Sequence, residues 1–187
     1  MQTVYFVDRQ GQIVSKVISP LLDAVLKNTP NNCIAIVLDD SGITEAYWDF
    51  DLHQFISMGE PPSPYHIFDY AFKQWFDPRT LDEIKAQKWQ EIKKQRDALE
   101  FGGFEFEGNI YDSDQVSQGR ILGAASAGLS QVWTLADNTT VDLTAYQLVQ
   151  LYQALQIHIA IAHERGRTAR EAIMSATTEE EVEAVTL

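Results

Sequence analysis

A chain of 187 residues with 45% hydrophobic and 22% charged side chains can bury one sizeable core or two small ones, and is too apolar to be disordered over most of its length. A formal charge of −13 argues against a nucleic-acid backbone as partner, because that binding draws on clustered Lys and Arg. Cys33, the single cysteine, excludes an internal disulfide and any metal site built from several thiolates.

The chain opens with a strand over Thr3 to Val7, a turn at Arg9-Gln10-Gly11-Gln12 and a return strand over Ile13 to Ile18. No apolar run of signal-peptide or membrane-span length interrupts this pattern, so a protein made and kept in the cytoplasm is expected. Pro20 sits where a helix can begin, with Leu21, Leu22, Val25 and Leu26 at helical spacing. Asn28 to Asn32 breaks that helix, and CIAIVL reads as a buried strand with Cys33 as a small core residue. The stretch AYWDFDLHQFISM alternates as one or two strands, with Asp49 and Asp51 facing away from Trp48, Phe50 and Leu52. Tyr47, Trp48, Phe50 and Phe55 are candidate partner-binding anchors, since aromatic side chains are common at interfaces. The alternative is that they form the core of the small N-terminal unit.

Glu60-Pro61-Pro62-Ser63-Pro64 excludes a helix interior and a central strand, and marks a linker. An aromatic hairpin is expected within residues 61–77. Asp77 is the expected N-cap and Pro78 the first residue of a charged helix, with Leu81, Ile84, Trp89, Ile92 and Leu99 as its apolar stripe. Gly102-Gly103 ends that helix, and Phe104, Phe106, Ile110 and Tyr111 flank a Gly108-Asn109 turn. GRILGAASAG then reads as a small-residue helix able to approach its neighbours closely, and WTLADNTTVDL as a second hairpin. The last long helix starts after Thr144 as N-cap. Leu148, Tyr152, Leu155, Ile159, Ala162, Ala169 and Ile173 form its stripe, widened by Val149, Leu151, Ile157 and Ile161.

The fold expected is α+β: a mixed N-terminal β-rich unit over residues 1–60, a linker with an aromatic hairpin over 61–77, and a three-helix domain with two β-hairpins over 78–187. The words of the last two thirds, from about Pro61 to Leu187, resemble a domain of unknown function at the C-terminal end of tailed-bacteriophage tail-fibre assembly proteins. That resemblance implies a non-enzymatic chaperone or cap that binds a tail-fibre or baseplate protein in the host cytoplasm, in a trimeric or 3:3 assembly. A structural virion component, such as a baseplate, hub or fibre-tip adaptor subunit, is the alternative.

The residues offer no catalytic constellation and no cofactor motif. His158 and His163 are five apart, where a zinc pair on one helix wants four. GRILGAASAG lacks the lysine followed by serine or threonine of a phosphate loop. Asp112-Ser113-Asp114 has no following acidic series for calcium and reads as a helix N-cap, while Asp39-Asp40-Ser41-Gly42 reads as a surface turn. Glu105 and Glu107 share a solvent face with no means of desolvating either, and no G-x-S-x-G elbow exists.

Overall fold

The computed structural model describes residues 2–39 and 42–187. Asp40 and Ser41, at the centre of the acidic turn noted above, lie outside the described residues. The chain divides into two compact units between Arg79 and Thr80, so the proline-rich stretch at 60–64 lies within the first unit. The architecture is α+β, with the β-rich part first and the helical part second.

In the first unit, β1 (Gln2–Val7) is the centre of a three-stranded antiparallel sheet between β2 (Ile13–Ser19) and β3 (Ile34–Leu38). A short helix, α1 (Leu22–Lys27), joins β2 to β3. Flanked on both edges, β1 buries Thr3 through Val7 without interruption, as a central strand does. The β1–β2 turn is held by the Asp8 carboxylate, whose Oδ1 accepts from the Gln10 and Gln12 amides at 2.8 and 2.9 Å. Gly11 is required there: its φ is +82°, and a Cβ would stand 2.2 Å from the carbonyl oxygen of Trp48. Two further hairpins follow, β4 (Ala46–Asp49) with β5 (Gln54–Ser57), and β6 (Ile67–Asp69) with β7 (Gln74–Phe76). Tyr5, Val7 and Trp48 form the core, with Ile13, Ile36, Leu38, Ile43 and Phe55 packed around them. Cys33 precedes β3 and is half-buried rather than a core residue, and β3 itself is not the buried strand expected: at the edge of the sheet it leaves Ile34 exposed and its other side chains only partly covered.

The second unit runs from Thr80 to Leu187. α2 (Leu81–Phe101) begins later than Asp77-Pro78 suggested. Thr80 is its N-cap in a capping box with Glu83, whereas the Asp77 carboxylate binds the Arg79 amide at 2.9 Å and the Arg79 guanidinium at 2.6 Å. After Gly103 come β8 (Phe104–Phe106) and β9 (Asn109–Tyr111), joined by Glu107 and Gly108 with φ of 49° and 77°. The two-residue turn is therefore one position earlier than expected, and two successive positive φ angles are what a type I′ hairpin needs. α3 (Gln115–Ala127) starts at its Asp114 N-cap and stops at Gly128 in the left-handed region. β10 (Gln131–Thr134) and β11 (Thr140–Leu143) form the second hairpin. α4 (Ala145–Ser175) follows with a Thr144–Gln147 capping box, and α5 (Glu179–Glu183) closes the chain.

α2 and α3 both pack on α4, in a three-helix body. α4 carries two separate cores. Leu148, Leu151 and Leu155 join Phe104, Tyr111, Ile121, Leu135 and Leu143 at the hairpin end. Ala169 and Ile173 join Ile84, Ile92, Ala176 and Val182 at the other. Two expectations about helix faces are reversed. A Cβ at Gly119, Gly123 or Gly128 would meet nothing within 4 Å, so these glycines line open space, while Ile121, with Ala124 beside it, carries the packing of α3 on the core. Val149, Ile157 and Ile161 do not widen the core face of α4 but stand exposed. No helix among the described residues is long and apolar enough to cross a membrane.

Candidate functional site

The four aromatics singled out in the sequence come together in the second hairpin of the first unit, three of them inside it. Trp48 is buried, and its ring meets Phe55 edge-on at 5.0 Å. Phe55 also packs 5.0 Å from Tyr5 of the sheet. Tyr47 points the other way and stacks on Phe68 of the third hairpin at 5.6 Å. Phe50 lies in the turn and is exposed. Asp49 and Asp51 do not share a solvent face of a strand: Asp49 Oδ1 accepts from the Asp51 and Leu52 amides, both at 2.9 Å, and turns the chain.

The third hairpin repeats this arrangement twenty residues later. Trp48↔Phe55 and Asp49↔Gln54 are cross-strand pairs in one, and Phe68↔Trp75 and Asp69↔Gln74 in the other. Asp69 Oδ1 accepts from the Ala71 and Phe72 amides at 2.7 and 3.1 Å, as Asp49 does in its own turn. The residue before each Gln, His53 or Lys73, has a positive φ of 53° or 58°. The signal that would have exposed the repeat is the spaced pair W-D-F-D-L-H-Q-F and F-D-Y-A-F-K-Q-W.

The three hairpins stack in chain order. The Trp48 amide donates to the Gly11 carbonyl at 2.8 Å, and Gln12 bridges Tyr47, which seats the second hairpin on the turn of the first. The third is seated on the second by Phe68 against Tyr47 and by Trp75 Nε1, which donates to the Met58 carbonyl at 2.8 Å. Lys73 Nζ stands 4.5 Å from the centre of the Tyr47 ring and donates to the Gln10 carbonyl. At the far edge the Arg79 guanidinium lies 3.8 Å over the Tyr65 ring.

In the second unit the two histidines are structural partners of one residue. His158 Nε2 is 3.2 Å from the main-chain carbonyl of Glu100 and its ring stacks on Phe104 at 5.7 Å. His163 Nε2 is 3.1 Å from the Glu100 carboxylate. No group of three metal-ligating side chains occurs among the described residues. Asp114 Oδ1 caps α3 through the Val116 and Ser117 amides, and its carboxyl is held below the usual range, chiefly by the Ser117 hydroxyl. A cleft of about 710 Å³ lies between α3 and β10, lined by Arg120, Gly123, Ala124, Trp133 and Asp112 among others. Its floor is the small-residue face of α3, which sequence reasoning had assigned to helix packing.

Residues 83–186 match the family described as Domain of unknown function (DUF4376), which is more than half of the chain. The chain belongs to that family. No curated protein and no solved structure matches it. The DUF4376 match falls entirely within the second unit, and the stacked hairpins lie outside it.

Proposed function

We propose that this chain is a non-enzymatic assembly factor of a tailed bacteriophage, a chaperone or cap that binds a tail-fibre subunit in the host cytoplasm. The resemblance of residues 61–187 to tail-fibre assembly proteins supplies the partner class. The observation that carries a binding role is the solvent face of α4. Tyr146, Val149, Ile157 and Ile161 lie on the face opposite Leu148, Leu155 and Ala162, where a helix packed on one side ordinarily turns polar residues. Two such apolar pairs on one solvent face, separated by glutamines, support a surface that meets another polypeptide. The polar groups with most resemblance to chemistry have structural work instead: His158 and His163 hold Glu100, and Asp114 caps α3.

Co-expression with a tail-fibre gene from the same genome tests the proposal. A fibre that is soluble and trimeric only alongside this chain, and not alongside an I157E/I161E variant, supports it. A fibre that assembles equally well without the chain refutes it. Stoichiometric presence of the chain in purified particles assigns it instead to a permanent structural place in the tail.

A further inference from the structure

The hairpin stack ends on a surface that its own repeat describes. In the second hairpin the pair facing away from the sheet is Tyr47↔Ile56, and the third hairpin covers Tyr47 with Phe68. Twenty residues on, the matching outward pair is Ile67↔Phe76. These are 50% and 39% exposed. The last repeat therefore presents, uncovered, the positions at which the previous repeat receives its neighbour. Stacked repeats expose such an end unless something caps it.

We infer that the Ile67–Phe76 face is the docking site for an aromatic, aspartate-turn β-hairpin carried by the partner protein, which adds a fourth member to the stack. This rests on the reading that the chain binds another polypeptide, and adds to the α4 face a second contact, on the first unit, whose recognition element in the partner it names. The internal interface dictates its chemistry: a cross-strand aromatic pair in the place of Phe68 and Trp75, and a cation before the final glutamine in the place of Lys73. Lys73 reaches the turn of the first hairpin at Gln10, two residues beyond Asp8. Its acceptor is the Gln10 main-chain carbonyl; the corresponding residue of the second hairpin is Asp51, two beyond Asp49 and exposed, whose negative charge at that end of the stack favours a lysine on the incoming hairpin. A second copy of this chain cannot supply the element, because the inner pairs of both its repeats are already used: Phe55 on Tyr5, and Phe68 on Tyr47. Two copies meeting back to back through a few side chains would fall short of the roughly 800 Å² per partner that a stable dimer needs.

A cyclised peptide of residues 65–78 serves as the probe, since it carries the aromatic pair and the lysine with its inner face free. It is titrated into isotope-labelled full-length protein while the Ile67 methyl resonance is followed. Saturable binding is expected between about 0.1 and 1 mM. It should weaken at least tenfold with I67K/F76K and severalfold with Asp51→Lys, and vanish when the peptide's Phe68 and Trp75 are both alanine. Both lysine substitutions fall on exposed side chains, and an unchanged thermal midpoint checks that the variant is folded. Absence of saturable binding by a peptide shown by circular dichroism to be a hairpin overturns the inference, as does binding indifferent to I67K/F76K. A dimer in sedimentation that I67K/F76K dissolves overturns it too, by assigning the face to a second copy. If the peptide binds as described but fibre assembly is independent of the chain, the assembly proposal falls and this one stands.

Discussion

His163 Nε2 lies 3.1 Å from the Glu100 carboxylate, while His158, five residues earlier on α4, reaches the main-chain carbonyl of the same glutamate at 3.2 Å. One residue near the end of α2 thus takes both imidazoles. His158→Ala removes a hydrogen bond and a ring stacked on Phe104, and is expected to cost about 1–2 kcal/mol in urea unfolding. His163→Ala removes a half-exposed pair and should cost less than about 1 kcal/mol. The reverse order would show that the carboxylate, not the carbonyl, ties α2 to α4.

Tyr111 is fully buried, and its hydroxyl is a buried side-chain oxygen without a hydrogen-bond partner. Burial, and secondarily the charge of Glu107, raise its pKa above the ordinary tyrosine value. Removing an unsatisfied hydroxyl relieves desolvation without opening a large cavity. Tyr111→Phe is therefore expected to stabilise the second unit by about 1 kcal/mol, read as a rise in the calorimetric midpoint. A fall would mean that the hydroxyl has a water partner.

A Cβ at Gly166 would stand 3.1 Å from Cδ of Arg96. The arginine side chain is flexible and ends in a partly exposed pair with Asp97, so it can yield by the few tenths of an ångström required. The gain in helix propensity should then prevail, with Gly166→Ala stabilising by up to about 1 kcal/mol. Gly166→Leu, which Arg96 has no room to accommodate, should destabilise.

Asp114 is held below the usual carboxylate range, first by the Ser117 hydroxyl and then by the amides it caps. A group whose folded pKa is depressed adds stability above its unfolded value near ~3.9, and loses it as pH falls through the lower folded value. The wild-type chain should lose this contribution below about pH 4. Asp114→Asn, which keeps a cap but not the charge, should show a flatter decline in melting temperature over the same window. Parallel declines would assign the acid lability to other carboxylates.

Asp69 Oδ1 accepts two amides in the turn of the third hairpin. Asp69→Ala should cost about 1–2 kcal/mol and broaden the signals of Phe68 and Trp75 by magnetic resonance. Sharp, unshifted signals would mean that the aromatic stack sets the turn.

The start of α4 was legible because one signal, Thr144, stood alone, whereas at α3 the sequence offered Asp112 and Asp114 alike and the structure selects Asp114. At α2 two signals competed: Asp77-Pro78 looked like a start, but the T-x-x-E box of Thr80 and Glu83 satisfies two orphan groups reciprocally and prevails. The twenty-residue hairpin repeat was hidden because its turns place Phe50, Leu52 and Phe72 where turn residues are usually polar, and His53 and Lys73 where glycine usually supplies positive φ. Three of the four proposed anchor aromatics were legible as apolar, but their spacing could not say that sheet and third hairpin would cover them. The open face of α3 shows the converse limit, since small residues permit close packing without compelling it.

The 31 residues of α4 extend over ~46 Å and belong to both cores of the second unit, which otherwise share no side chain. Loosening of α5 from Ile84, Ile92 and Ile173 thus need not disturb the cluster around Tyr111 and Leu148. A substitution that unseats Val182 should accordingly raise amide exchange in the C-terminal turn and leave the hairpin end of the same rod as protected as before.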